Sequence, residues 1–231
     1  MKKKSLTAGL FVGVRGIFSI DREQWRSRKL AVSGSEHINV AVAFRNLTVV
    51  SDVFRQNEVN AWLINGTLLG AIRDGALIPY DSDCDIGIMG NKPVAIRNSL
   101  EQLIGLGFEI VRVTQREQGI SLMRNDEYID VSLYSFERVF FRRYLVSSWG
   151  AAEPYRMVRD LRTLSFQEHT FLVPARSQQL LEFWYGPSWR NPVQGRPREC
   201  NIPMLAFQRK IKKKFRAMLD FFYSRLTRGR R

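Results

Sequence analysis

Residues 64–89 read INGTLLGAIRDGALIPYDSDCDIGIM. Asp81, Asp83 and Asp85 stand at every second position there, just after a turn bounded by glycine and proline. A strand directs residues i, i+2 and i+4 to one face. Carboxylates crowded on that face repel one another and resist losing water. A divalent cation reverses the cost.

Working outward, AWLIN (61–65) is a short apolar strand that Gly66 breaks. TLLGAIRDG (67–75) reads as a short helix with Thr67 at its N-cap and Gly75 at its exit. Pro79 then turns the chain into the strand DCDIGIM (83–89). A helix start favours phosphate, because its N–H groups are unpaired and carry the positive end of the dipole. Gly66 lets a phosphate approach the backbone, Thr67 adds a hydroxyl, and Asp83 with Asp85 can grip Mg²⁺ from one side. A third carboxylate is wanted from a neighbouring strand. In EYIDVSLYSF (127–136), Asp130 lies between Ile129 and Val131, where an ionised group needs a partner; Glu127, at the strand entrance, is the weaker candidate.

This layout resembles the nucleotidyltransferase superfamily, with its Gly-Ser or Gly-Thr turn, Asp-x-Asp strand and later lone Asp. More narrowly, GTLLGAIRDGALIPYDSDCDIGI (66–88) is similar to the hallmark of the LicD/fukutin phosphotransferases, and LLEFWYGPSWRNP (180–192) is similar to a second motif of that family. The resemblance covers about residues 40–193. It implies an α+β (mixed α/β) fold with a central mixed sheet flanked by helices. It also implies a divalent metal, Mg²⁺ or Mn²⁺, and transfer of a phosphoalcohol such as phosphocholine or ribitol phosphate from its CDP derivative to a glycan. By position, Asp83 and Asp85 match the metal pair and Asp130 the later acid. Gly66 and Thr67 match the phosphate turn, and Arg73 the motif's basic residue. Ser82 replaces an Asp common in bacterial members, and Ser188 and Arg190 replace the usual Asp and Met around Trp189.

The rest of the chain is organised around this block. Apolar positions Val40, Phe44, Leu47, Val50 and Phe54 recur at helical spacing over 36–58. Residues 92–105 read as a helix, 108–136 as two or three strands, and FQEHTFLV (166–173) as part of a strand pair. SQQLLEFWYG (177–186) is a short helix stopped at Gly186-Pro187. Three segments are expected: a basic N-terminal stretch (1–35), the catalytic domain (36–200) and a basic amphipathic C-terminal helix (201–231).

Composition narrows the function classes. The 231 residues are 45% hydrophobic and carry a net charge of +14, which draws a protein to polyanions. Two cysteines, Cys84 and Cys200, form no zinc spacing or disulfide framework, and two histidines argue against zinc and Ser-His-Asp chemistry. The opening MKKKSLTAGLFVGVRGIFSI imitates a signal peptide, but Arg15 interrupts its apolar run and no cleavage site follows; export is not expected. From Met204 onward ten Lys/Arg face one acid, Asp220, while Met204, Phe207, Ile211, Phe215, Met218 and Phe222 form an apolar stripe. Such a helix suits an anionic membrane surface, on the cytoplasmic side, within reach of a lipid-linked glycan acceptor; packing on the domain is the plainer alternative. Nucleic acid is a weaker partner, since no reading motif accompanies the charge.

Three rival functions share the motif: transfer of a nucleoside monophosphate with pyrophosphate leaving, a non-catalytic membrane-tethered binding protein, and a nucleotidyltransferase acting on nucleic acid. Several side chains also have plainer roles. Cys84 points away from its flanking aspartates into the core, His169 is structural, and Trp184, Tyr185 and Trp189 pack. Thr67 can simply cap a helix, and Arg73 can ion-pair with a local acid.

Overall fold

Hydrophobic periodicity makes the first helix, α1 (Val40–Gln56), whose Ala43, Leu47, Val50, Val53 and Phe54 are buried. Its start is fixed by Asn39, whose side chain accepts from the Val42 N–H at 3.3 Å. Asn46, fully buried on α1, donates to the Arg124 carbonyl at 2.7 Å and accepts from Arg124 Nε at 2.9 Å. That side chain ties α1 to the far end of the sheet. The computed structural model describes residues 37–113, 119–139, 141–147 and 152–193. The expected N-terminal segment and C-terminal helix lie outside these residues.

After α1 come β1 (Ala61–Leu63), α2 (Asn65–Arg73), β2 (Cys84–Met89) and α3 (Pro93–Gly105). Next are the strands β3 (Glu109–Val113), β4 (Gly119–Arg124), β5 (Glu127–Val139), β6 (Arg142–Ser147) and β7 (Ala152–Pro154). The chain continues through α4 (Tyr155–Val158), β8 (Leu161–Phe166), β9 (His169–Pro174) and α5 (Ser177–Tyr185). The nine strands form one mixed sheet in the order β3-β4-β5-β2-β1-β9-β8, with β6 beside β5 and β7 beside β6. The pairs β2–β5 and β1–β9 are parallel, and the others are antiparallel. The mixed α/β architecture with a helix-flanked central sheet is as expected from sequence.

Two local features decide the centre of the sheet. Asn125 and Asp126, at φ 53° and 63°, close the β4–β5 hairpin in the two-residue turn that demands positive φ at both positions. Gly87 on β2 lets Trp62 and Tyr134 meet above it with ring centroids 5.3 Å apart. A Cβ at Gly87 would lie 2.8 Å from atoms of both rings. The core runs continuously from α1 through Leu63, Ile86, Ile88, Leu100 and Val131 to Leu180, Leu181 and Trp184.

Candidate active site

Pairing of β2 with β5 builds the site. Their parallel register sets Asp85 directly beside Asp130, so both carboxylates leave the same face of the sheet. Asp83, one residue before β2, joins them. One carboxylate oxygen from each of Asp83, Asp85 and Asp130 lies within 4.8 Å of the others. Asp85 and Asp130 are buried and Asp83 is half-buried. Burial, followed by the charges of Asp83 and Asp130, pushes the Asp85 carboxyl well above the usual carboxylate range. Three acids held this close, two of them out of water, are strained as bare anions. Oxygen-only donors at this spacing suit a hard divalent cation.

Two neutral side chains orient the acids. Asn65 Nδ2 donates to Asp85 Oδ1 at 3.0 Å, from a backbone held at φ 50°. Ser121, paired with Asp130 across β4 and β5, donates its hydroxyl to Asp130 Oδ1. Neither was singled out from sequence. Asn65 carries a weak signal, an Asx residue before a glycine, where left-handed backbone is tolerated. Ser121 carries none, because strand register is not written in local sequence.

The expected phosphate turn is built differently. Helix α2 begins at Asn65 with Ile64 at its N-cap, so Thr67 is a helical residue and not the cap. Thr67 is 2% exposed and its Oγ1 accepts from the Asp85 N–H at 2.8 Å. Its hydroxyl therefore anchors β2 against α2, because a buried strand N–H must find an acceptor. Gly66 lines a cavity. A Cβ there would lie 2.1 Å from Asp81 Oδ2, so any side chain at this position must displace that carboxylate.

Gly66, Asn65 and Asp85 share a cavity of about 320 Å³ with Leu69, Arg73, Tyr80, Asp81, Tyr185, Trp189 and Asn191. Arg73 is engaged by the adjacent Asp74, through Nε at 2.7 Å and Nη2 at 2.6 Å. Hydrogen bonding to Asp74, reinforced by Tyr80, raises its already high pKa. Burial raises the Asp81 carboxyl, against the Ser82 N–H that lowers it. Tyr185 and Trp189 are buried as expected, yet they also line the cavity, and Arg190 stacks on Trp189 at 4.2 Å. Glu127 takes no part in the cluster: its Oε1 accepts the Asn39 N–H at 2.6 Å at the start of α1. Cys84 is fully buried, and His169 packs on Phe171 and approaches Asp52 at 3.2 Å.

An uncharacterised protein of Rickettsia prowazekii (strain Madrid E) is 22% identical over 80% of this chain and 83% of its own length. An uncharacterised protein of Rickettsia typhi (strain ATCC VR-144 / Wilmington) is 24% identical over 61% of this chain and 45% of its own length. Among solved structures, the antibiotic-resistance factor ANT(2'')-Ia aligns over 80% of this chain and 99% of its own at 12% identity, with a TM-score of 0.43. Residues 58–176, which hold Gly66, all three clustered aspartates, Asn65 and Ser121, match the model of the LicD/FKTN/FKRP nucleotidyltransferase domain, and the chain belongs to that family.

Proposed function

We propose that this chain transfers a phosphoalcohol from a CDP-alcohol to a hydroxyl of a glycan or of its lipid-linked precursor, releasing CMP. The observation that carries the reading is the convergence of Asp83, Asp85 and Asp130 at the edge of a cavity large enough for a small polar substrate. Family membership supports a transferase of phosphorus-containing groups; the donor, acceptor and metal are our reading.

Asp83, Asp85 and Asp130 would hold the divalent cation, Mg²⁺ or Mn²⁺. When bound, the cation neutralises the diphosphate and the charge that develops on its leaving oxygen. Asn65 and Ser121 each donate to one carboxylate oxygen of the cluster, on Asp85 and Asp130 respectively, and so orient those side chains. Tyr80, Tyr185 and Trp189 line the cavity that would receive the transferred group, and Arg73, held by Asp74, lines it as well and adds positive charge beside the phosphates. The acceptor oxygen bonds to the phosphorus bearing the alcohol, the bond from that phosphorus to the bridging oxygen breaks, and CMP departs with the electron pair. The hydroxyl proton passes to a carboxylate of the cluster, for which Asp130 is the candidate. Membrane docking by the basic C-terminal segment would bring a lipid-linked acceptor to this site.

The test is a panel of CDP-alcohols incubated with the full chain and Mg²⁺, followed by CMP release. Asp83→Ala should abolish release while the protein stays folded. Pyrophosphate release from a nucleoside triphosphate would instead favour nucleotidyl transfer. A fully active Asp83→Ala enzyme overturns the assignment. No candidate membrane-spanning helix occurs among the described residues.

A further inference from the structure

Strand β5 is longer than the sheet that holds it. Among the described residues, its pairing with β4 ends at Ser132 and with β2 at Tyr134, after which β6 alone accompanies it. Beyond Tyr144, where β7 stops pairing, the described residues form a two-stranded ribbon that carries Arg138 opposite Arg143 and Val139 opposite Arg142. Such a ribbon gains little stability alone, and like charges directly opposite each other cost more. Arg138, Arg142 and Arg143 are all exposed, and no ion pair to any of them is present among the described residues. At the apex Phe141 is 100% exposed; Phe136, opposite Leu145 where β7 still pairs, is 56% exposed and packs edge-on against Tyr155.

An aromatic apex ringed by unpaired arginines has no use in water. We propose that this hairpin tip docks on an anionic lipid bilayer, with Phe141 entering the interfacial layer and the three arginines against headgroup phosphates. Aromatic residues gain by lying at that boundary, and each arginine near an anionic surface strengthens binding about fivefold. Single-stranded nucleic acid also has charges for the arginines and bases to stack on an exposed ring, so RNA is the competing occupant that the test must separate from a bilayer. A second copy of the chain would bring arginine against arginine. The pleat also gives the docking a direction. Asp130, Tyr134, Phe136 and Arg138 alternate onto one side of β5, and eight residues separate the acid from Arg138, about 26 Å of strand. Alternation thus puts Arg138 on the side of β5 that bears Asp130. This surface is independent of the C-terminal segment and of the chemistry proposed above.

The experiment places a fluorophore at the apex of the full chain, through Phe141→Cys labelled with nitrobenzoxadiazole in a Cys200→Ser background; Cys84 is buried. Vesicles of phosphatidylcholine mixed with phosphatidylserine should shift the emission to the blue and expose the label to nitroxide-lipid quenching, whereas pure phosphatidylcholine should do neither. Phe141→Ser should weaken co-sedimentation about tenfold or more, and Arg138→Ala with Arg143→Ala should weaken it without lowering thermal stability. The proposal is overturned if the label stays in water while the protein sediments, since another segment then does the binding. It is equally overturned if Phe141→Ser sediments like the parent, or if the label answers RNA and not vesicles.

Discussion

Replacing Asp85 by asparagine isolates the electrostatic strain on which the site is built. Asparagine keeps the shape of the side chain and an oxygen to accept the Asn65 amide, and the backbone N–H still reaches Thr67. Only the charge goes. Two full charges 4.8 Å apart repel by about 3.5 kcal/mol at an effective dielectric near 20, and Asp85 faces two such neighbours. Burial and the charges of Asp83 and Asp130 raise the Asp85 pKa, which favours its neutral form and offsets part of this repulsion. The net relief on removing the charge is then about 1–3 kcal/mol, the usual scale for an imperfectly satisfied buried polar group. For a chain of this size each kcal/mol moves the melting temperature by about 2–4 °C. Asp85→Asn should therefore melt several degrees higher than the parent in EDTA. Titrating Mg²⁺ or Mn²⁺ should reverse the order. At a hundredfold excess over Kd the parent gains about 2.7 kcal/mol, and the variant, short of a charged ligand, gains little. Differential scanning fluorimetry across a metal titration reads both effects. A variant that melts lower in EDTA and still shifts fully with metal would refute the idea that the three acids are held together by a shared cation.

Four other substitutions probe neighbouring parts. Gly66→Ala must turn the Asp81 carboxylate aside, and should cost about 0.5–1.5 kcal/mol of stability together with most of the turnover; an unchanged melt and rate would show that the approach is not tight. Ser121→Ala should weaken Mn²⁺ binding about 10- to 100-fold, read by electron paramagnetic resonance, while Ser121→Thr restores it; equal affinity in all three would remove Ser121 from the site. Gly87→Ala drives a methyl into Trp62 and Tyr134, so urea denaturation should show a loss of about 1–3 kcal/mol and near-ultraviolet dichroism a changed aromatic signal. Burial raises the Glu127 pKa above its ordinary 4.5, so the folded state holds that proton more tightly and stability falls as pH rises through the raised value. Glu127→Gln, which keeps an acceptor for Asn39, should lack this fall; parallel stability–pH curves for the two proteins would contradict it.

Local pattern carried much of the architecture. The spacing of Val40, Phe44, Leu47, Val50 and Phe54 marks α1 because its apolar stripe repeats with the helical turn, and α2, α3 and α5 fall within two residues or so of their expected bounds. The segment 142–158 had no assignment, yet it forms β6, β7 and α4. Arg142 and Arg143 open β6 with charge where a strand core would show apolar alternation, and β7 is only three residues long. Its Glu153 is fully buried and approaches the Tyr134 hydroxyl at 3.5 Å, a polar partnership that reads as surface in sequence. Thr67 was misplaced for a related reason. A threonine after a glycine looks like a cap, and nothing nearby reveals that a strand N–H 18 residues away has claimed its hydroxyl.

The same division explains why the acids were visible and their supports were not. Asp83 and Asp85 advertise themselves through spacing along a single strand. Asp130 stands out as a charge inside an apolar run. Their meeting, however, depends on β2 and β5 pairing in parallel, in a register where Asp85 falls beside Asp130 rather than Ile129 or Val131. A slip of one residue would turn Asp130 to the opposite face. The apolar pattern forbids that slip, because Ile129, Val131 and Leu133 would then leave the core in which they are buried. Gly87 opposes it as well, since only its missing side chain leaves room for Trp62 and Tyr134 to close over β2. Hydrophobic packing thus fixes the position of the carboxylates, and the electrostatic cost of their crowding is imposed by the fold rather than chosen by the acids. On the proposed reading, a site assembled that way would stay strained until a cation binds, and this is why removing one charge is expected to stabilise the empty protein while disabling the loaded one.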